Sequence, residues 1–353
     1  MKILVINPGS TSTKLAVYDD DHEIKKQTLS HPAEDLAKFP KIMDQLDFRY
    51  DLVMEFLKEA GYEPGSFDCV MSRGGSPPDV RAGATIIDDN LVEALMERPK
   101  EPHPASLGPV IASRIAKAAG IPAFIYDPIT ADELNPLAKV FGMKGMENDG
   151  MCHMLNTHAV GISVAEEIGQ PFDSLNLIVA HLGGSNSIAL WAHGSPTDVV
   201  PADANTFSAE RCGFMRSERL VQMCEKYGCE TIIGWLHGKG GMVSLLGTND
   251  LRDVSKLVSD GDEYALLLMK AMAYQMSKCV ISLFPVVYGK VDGIVFTGGG
   301  AGWEALMNEL KERLAFLNTP IYLRPGENEM YALATGALRV MRGEEKAQKY
   351  MEH

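Results

Sequence analysis

Three things are missing from this chain: cysteine pairs at metal or redox spacing, an apolar run that could cross a bilayer, and any concentration of positive charge. The six cysteines stand at 69, 152, 212, 224, 229 and 279, with no Cys-x-x-Cys among them. In a chain of 353 residues that pattern excludes a disulfide scaffold and predicts reduced thiols in a cytoplasmic setting. Cys212, Cys224, Cys229 and His237 follow no standard zinc spacing. The apolar start at 2–6 breaks at Asn7-Pro8-Gly9, too soon for a signal-peptide core. The longest buried-looking run, 279–288, contains Pro285 and falls well short of the ~20 residues of a membrane helix. Lysine and arginine total 33 against 47 acidic residues, a formal charge of −14. A nucleic-acid backbone or anionic membrane is therefore repelled overall, and neither is expected as a partner. An anionic small substrate needs a local cluster of arginine or lysine.

What is present is an ordinary globular composition, 46% hydrophobic and 23% charged, at a length that suggests two domains. Residues 2–7, 14–18 and 24–29 read as three short strands separated by Pro/Gly/Ser and acidic turns. Helical periodicity follows at 41–60, and a second helix runs from Pro104 to the stop at Gly120. Residues 121–126 form a buried strand. The order then restarts: 175–181, 188–191 and 197–200 are strands, with Ile178 to His181 matching Leu4 to Asn7 and Gly183 falling on Gly9. Helices at 218–227 and 262–283, a strand at 293–297, a helix at 303–317, a strand at 321–323 and a helix at 328–342 complete the second half. The repeat is too long for a solenoid and reads as a duplicated α/β domain. The expected domains are 1–150 and 151–330, with a C-terminal helix in about 331–353 packing back on the first. The 19 methionines fit irregular core gaps.

Three Gly/Ser-rich turns, 8–12, 183–187 and 298–302, each follow an apolar strand. Such turns present backbone N–H groups that bind phosphate oxygens. Two of them at equivalent places in a duplication point to a nucleotide phosphate held in a cleft between the halves. Neither standard phosphate motif fits: Trp303 stands where a dinucleotide fingerprint needs its third glycine, and Gly238-Lys239 lacks the spacing of a P-loop.

VINPGSTSTK at the N-terminus, VAHLGGSNS in the centre, ERCG at 210–213, GTNDLRDV at 247–254 and FTGGGAGWE at 296–304 together resemble the acetate and butyrate kinase family. That family belongs to the superfamily of acetate and sugar kinases, heat-shock chaperone ATPases and actin. The resemblance runs from residue 3 to about 341. Pro8, and the short segment Ser72-Arg73-Gly74-Gly75 where acetate kinases carry a longer one, are closer to the butyrate kinase form. The resemblance implies two ribonuclease-H-like α/β domains around a cleft. It also implies reversible transfer between ATP and a short-chain carboxylate, giving acyl phosphate and ADP with Mg2+, and a homodimer or higher oligomer. Arg73 and Arg211 resemble the family's active-site arginines, His181 its phosphoryl-binding histidine, and His103 a second histidine. Asn7, Ser10, Ser12 and Lys14 lie in the first phosphate turn. Gly183, Gly184, Gly298, Gly299 and Gly300 line the nucleotide side, and Asp127 and Glu329 look like the carboxylates that hold magnesium and orient the attack.

Transfer from ATP to a carboxylate gathers negative charge, so guanidinium groups at the reacting oxygens suit the chemistry independently. Singly, each residue has a plainer role: a strand-end histidine, a turn aspartate before Pro128, a carboxylate at a helix start. Only their joint placement beside the Gly-rich turns favours function. His153, His158, Lys239 and Arg252 keep the plainer role. A sugar or polyol kinase, or an ATP-switched module without catalysis, are the rival readings.

Overall fold

The protein is described by a computed structural model covering residues 1–350. The chain divides into two compact units, 1–132 together with 328–353, and 133–327. The boundary lies earlier than the one read near Gly150. Residues 133–135 are already tied into the second unit, where Ser195 Oγ donates to Glu133 (3.2 Å) and Asn135 N–H donates to Thr197 O (2.9 Å).

In the first unit, β1 (Lys2–Pro8), β2 (Ser12–Asp19) and β3 (His22–Ser30) form an antiparallel meander. β4 (Cys69–Arg73), β5 (Ala84–Ile86) and β6 (Ala123–Tyr126) complete a sheet of order β3-β2-β1-β4-β6-β5, with β1, β4 and β6 parallel. Leu4, Ile6 and Val70 pack into one core with the helices Leu46–Ala60, Asp89–Glu97 and Leu107–Ala119. Side chains alternate across a strand, so Ile3, Val5 and Met71 turn to the other face, where the Glu329–Met341 helix packs on β1 and β4. Coverage of both faces explains why these strands read as unbroken apolar runs. Of the segment expected at 331–353, residues 351–353 lie outside the described residues. Gln348 pairs with Thr85 beside β5, and Tyr350 is buried in the same core.

The second unit repeats the plan. β7 (Asn176–Leu182), β8 (Asn186–Ala192), β9 (Ser195–Val200), β10 (Gly293–Gly298) and β11 (Ile321–Pro325) take the order β9-β8-β7-β10-β11, with β7, β10 and β11 parallel. The helices Glu263–Ser282 and Glu304–Leu314 cover one face and Met154–Ile168 the other. Strand order and direction match through β1/β7, β2/β8, β3/β9, β4/β10 and β6/β11. Ile6 pairs with Ser72 as Ala180 pairs with Phe296, so Arg73-Gly74-Gly75 occupies the place of Thr297-Gly298-Gly299. Among the described residues no helix is long and apolar enough to cross a membrane.

The Glu329–Met341 helix comes close to β6 at Gly336, where an added Cβ would lie 2.8 Å from the Tyr126 ring. Tyr126 cannot give way easily, because its hydroxyl donates to Glu345 (2.7 Å) and accepts from Arg339 (2.5 Å). Gly336→Val should therefore overpack the contact and cost about 2–3 kcal/mol. Calorimetry should show a lowered unfolding temperature, and an unchanged transition would mean that the helix is not docked there.

Candidate active site

In the first unit the chemistry collects where β1 and β4 end. Asn7 pairs with Lys14 across β1 and β2, and Arg73 closes β4. All three converge on Glu329, the first residue of its helix. One carboxylate oxygen takes the Arg73 guanidinium, and the other accepts from Asn7 Nδ2 (2.9 Å) with Lys14 Nζ at 3.8 Å. Burial pushes the Glu329 carboxyl up, but Arg73, Lys14 and the Asn7 amide outweigh it and hold it below its ordinary value. Ahead of this cluster Gly9 N–H donates to Ser12 O (2.7 Å), closing a turn in which Ser10 and Thr11 are exposed.

His103 Nδ1 accepts from Ala105 N–H (3.1 Å) at the head of the Pro104–Ser106 turn. Burial, and after it the Arg73 charge, lower its pKa against the opposing pull of Glu101. Asp127 follows β6 in left-handed backbone (φ 45°), a conformation that costs a non-glycine residue energy and that gathers at functional sites. It is fully buried, and its Oδ1 accepts from Gly83 N–H (2.7 Å) while Gly83 O accepts from its own N–H (3.1 Å).

In the second unit His181 sits at the matching end of β7, 1% exposed. Its Nδ1 meets Asn156 Oδ1 at 2.8 Å and its Nε2 meets Glu327 Oε1 at 3.0 Å. Its ring stacks on His153 with centroids 3.9 Å apart, and His153 Nδ1 lies 2.7 Å from Ser187 Oγ. Gly183 is constrained by this pair, because a Cβ there would lie 2.9 Å from His181 Nε2. Gly184 O accepts from Ser208 Oγ (2.5 Å) and Glu210 N–H (3.0 Å), which folds the ERCG loop against the strand end.

Arg211 stands on that loop, its N–H held by Ser208 Oγ (3.1 Å), while its Nη1 is buried without a hydrogen-bond partner. A buried guanidinium nitrogen with no acceptor is uncommon and suits an anion. Gly238-Lys239-Gly240 has a packing role, since a Cβ on Gly240 would lie 2.6 Å from Cys212 N. Gly298, at φ 82°, and Gly300 press against Leu182, whereas a Cβ on Gly299 would meet no neighbouring atom within 4 Å. Only Gly299 of the three is thus free of a packing reason.

The structure brings Asn7, Lys14, Arg73 and Glu329 into contact in one unit. It gathers His181, Gly183, Gly184 and Arg211 around the β7 end in the other. His153, read from the sequence as structural, is part of the histidine stack and pairs with Ser187, a residue of the second Gly/Ser turn. His158 does pack structurally, stacked on Trp191 at 4.4 Å. Asp127 and Glu329, read from the sequence as the magnesium carboxylates, have different surroundings. Among the described residues no group of three His, Cys, Asp or Glu could hold a metal. Glu329, whose side chain is 23% exposed, suits water-bridged contact with a hydrated ion carried on nucleotide phosphates. Asp127, enclosed and bound to Gly83, does not fit as a direct ligand.

The buried histidines set a pH dependence. His31, bonded through Nε2 to Thr13 Oγ1 (2.8 Å), is lowered by burial and by Arg49, and His103 by burial and Arg73. The unfolded chain then binds more protons than the folded one once pH falls below the ordinary histidine value of about 6.5. Stability should decline from about pH 6.5 downward through the folded values. Thermal melts between pH 7.5 and 5 should show this slope, and His103→Gln should flatten it; a pH-independent Tm would contradict the assignment.

With that geometry in place, comparison with known proteins is informative. Residues 150–319 match the Acetokinase family. An acetate kinase from Porphyromonas gingivalis is 20% identical, covers 96% of this chain and 99% of its own, and superposes with a TM-score of 0.79. The corresponding values are 17%, 96%, 99% and 0.78 for an acetate kinase from Entamoeba histolytica. For a propionate kinase from Francisella tularensis subsp. tularensis SCHU S4 they are 18%, 95%, 98% and 0.75. At such identities the structures establish the fold. The segment 150–319, which holds the histidine stack and the Arg211 loop, is thus similar to the Acetokinase family over just under half of the chain.

Proposed function

We propose that this protein is a short-chain carboxylate kinase that transfers a phosphoryl group reversibly between ATP and butyrate, forming butyryl phosphate and ADP. The observation that carries the reading is the buried, unpartnered Nη1 of Arg211 inside the segment that matches the acetokinase family. A donor fixed in that state is prepared for an oxygen that becomes more negative during transfer. Within the first unit, Arg73 is held by Glu329, and an anionic substrate would compete for its N–H groups. The acid needs no general base, because a carboxylate already attacks as an anion. Within the second unit, Asn156 orients the His181 ring through Nδ1, and a phosphoryl oxygen would take the place of Glu327 at its Nε2. A magnesium ion carried on the nucleotide phosphates would supply neutralisation of their charge.

The preference for butyrate rests on the shortened segment beside Arg73. Each additional buried methylene is worth about 0.8 kcal/mol, so two favour butyrate over acetate by about 15-fold in kcat/KM. Hydroxylamine trapping of acyl phosphate across acetate, propionate, butyrate, isobutyrate and valerate should show that order of preference. Acetate as the best substrate would refute the chain-length assignment and leave the acyl kinase. ADP formation with sugars or polyols and none with acids would refute both.

Arg211→Ala should fold normally, because no hydrogen bond to Nη1 is lost. It should lower kcat by at least ~10²-fold, the scale for removing a transition-state charge partner. Turnover near that of the wild type, with folding confirmed by circular dichroism, would remove Arg211 from the mechanism.

A further inference from the structure

Beneath the exposed turn at 9–12 lies a cation that the reading above does not use. Arg49, in the first turns of the Leu46–Ala60 helix, is fully buried. Its Nη1 donates to Gly9 O (2.8 Å), Ser12 O (3.2 Å) and Thr13 Oγ1 (3.2 Å). Its Nη2 donates to Ser10 O (3.3 Å) and Gln45 Oε1 (2.8 Å), and its Nε to the same Gln45 oxygen (3.0 Å). The one remaining turn carbonyl, Thr11 O, accepts from His31 N–H (2.7 Å). All four carbonyls from Gly9 to Ser12 are thus bonded, three of them to one guanidinium.

We propose that Arg49 is a positioning residue for phosphoryl binding. It draws the carbonyl oxygens of the turn inward so that Ser10 and Thr11 offer hydrogen-bond donors on the exposed side, and it places an unneutralised positive charge directly behind them. The inference rests on the kinase reading for its substrate, but its geometry belongs to the turn alone. A peptide carbonyl pointing at a phosphate oxygen repels it, whereas successive N–H groups form an anion-binding concavity. One fork with five N–H donors can hold several carbonyls in a fixed pattern; an ammonium, with three rotatable donors, cannot reproduce that. The charge matters separately. Arg49 is surrounded by neutral oxygen acceptors, and burial alone draws its pKa down to about 10, so it stays protonated at neutral pH with no carboxylate to cancel it. Such a charge, a few ångströms beneath an exposed turn and shielded from water, is weakly screened and acts on an anion above it.

Two substitutions separate geometry from charge. Arg49→Lys keeps the charge and loses the fork; Arg49→Gln loses both. With ATP and butyrate, Arg49→Lys should keep KM for ATP within about threefold and lower kcat by about tenfold or more, because the turn is no longer held in register. Arg49→Gln should also raise KM by about tenfold. Thermal melts with and without pyrophosphate read the turn independently of catalysis. The wild-type Tm should rise with pyrophosphate, the Lys variant should rise less, and the Gln variant least. If both variants melt earlier yet keep wild-type kcat, KM and pyrophosphate response at a temperature where they are folded, Arg49 only braces the core and the proposal is overturned. If the Gln variant does not fold, the Lys variant decides by the same measurements. A wild type that forms acyl phosphate from none of the acids would defeat the kinase reading, and the pyrophosphate response would still decide the role of Arg49.

Discussion

A strand covered on both faces can offer chemistry only at its ends. β1, β4, β7 and β10 lie between helices on either side, and their interiors are apolar throughout. Burying an unpaired polar group among them would cost several kcal/mol. Polar side chains are therefore displaced to the carboxyl ends of these strands, where Asn7, Arg73, His181 and Thr297 stand in equivalent or adjacent registers. In open α/β sheets that edge is where ligands bind. The glycines that follow each end are part of the same constraint. The chain has to leave the sheet closely packed: Gly74 against Pro128, Gly75 against Ser106, and Gly298 against Leu182.

The two units meet the resulting electrostatic problem differently. In the first, a guanidinium and a carboxylate satisfy each other, with Asn7 as a further donor to Glu329 and Lys14 as a nearby cation. Removing one partner from such a pair leaves an uncompensated charge and costs about 3–5 kcal/mol when it is fully buried; part exposure of Glu329 reduces this. In the second, Arg211 Nη1 is left without an acceptor. Arg73 is thus neutralised within its own unit, whereas one nitrogen of Arg211 is buried and unbonded. That asymmetry arose within one repeated strand plan.

The repeated meanders were legible because short apolar runs in the same order are bounded by Gly, Pro, Ser and Asp turns. The equivalence of Asn7 and His181 followed from the same pattern. β4 was not legible. Cys69 to Arg73 is five residues with no alternation, and only its parallel partners show it to be a central strand. The Met154–Ile168 helix was also obscured. Its sequence carries Asn156, Thr157, His158 and Gly161 within its first two turns or so, and its burial comes from β7, β8 and β10 rather than from its own periodicity. The stacking of His153 on His181 was not legible for a related reason: the two lie 28 residues apart in sequence, and ring stacking is a tertiary fact that spacing does not encode. Arg49 gave no signal, since an arginine in an otherwise amphipathic helix reads as a surface residue until the acceptors around it are seen.

The helix that covers the second face of β1 and β4 is separated from them by the whole of residues 133–327. While a ribosome is still translating that stretch, Ile3, Val5 and Met71 have no covering helix, and Arg73 has no carboxylate. The meander can form early from local contacts, whereas closure of the first unit waits on a contact of very high sequence separation. A nascent chain in that interval exposes a ready-made apolar sheet face, the kind of surface that chaperones retain and that self-associates when crowded. Arg73 acquires its restraint in the same step that seals the sheet, so the unit cannot present an ordered arginine before its fold is complete.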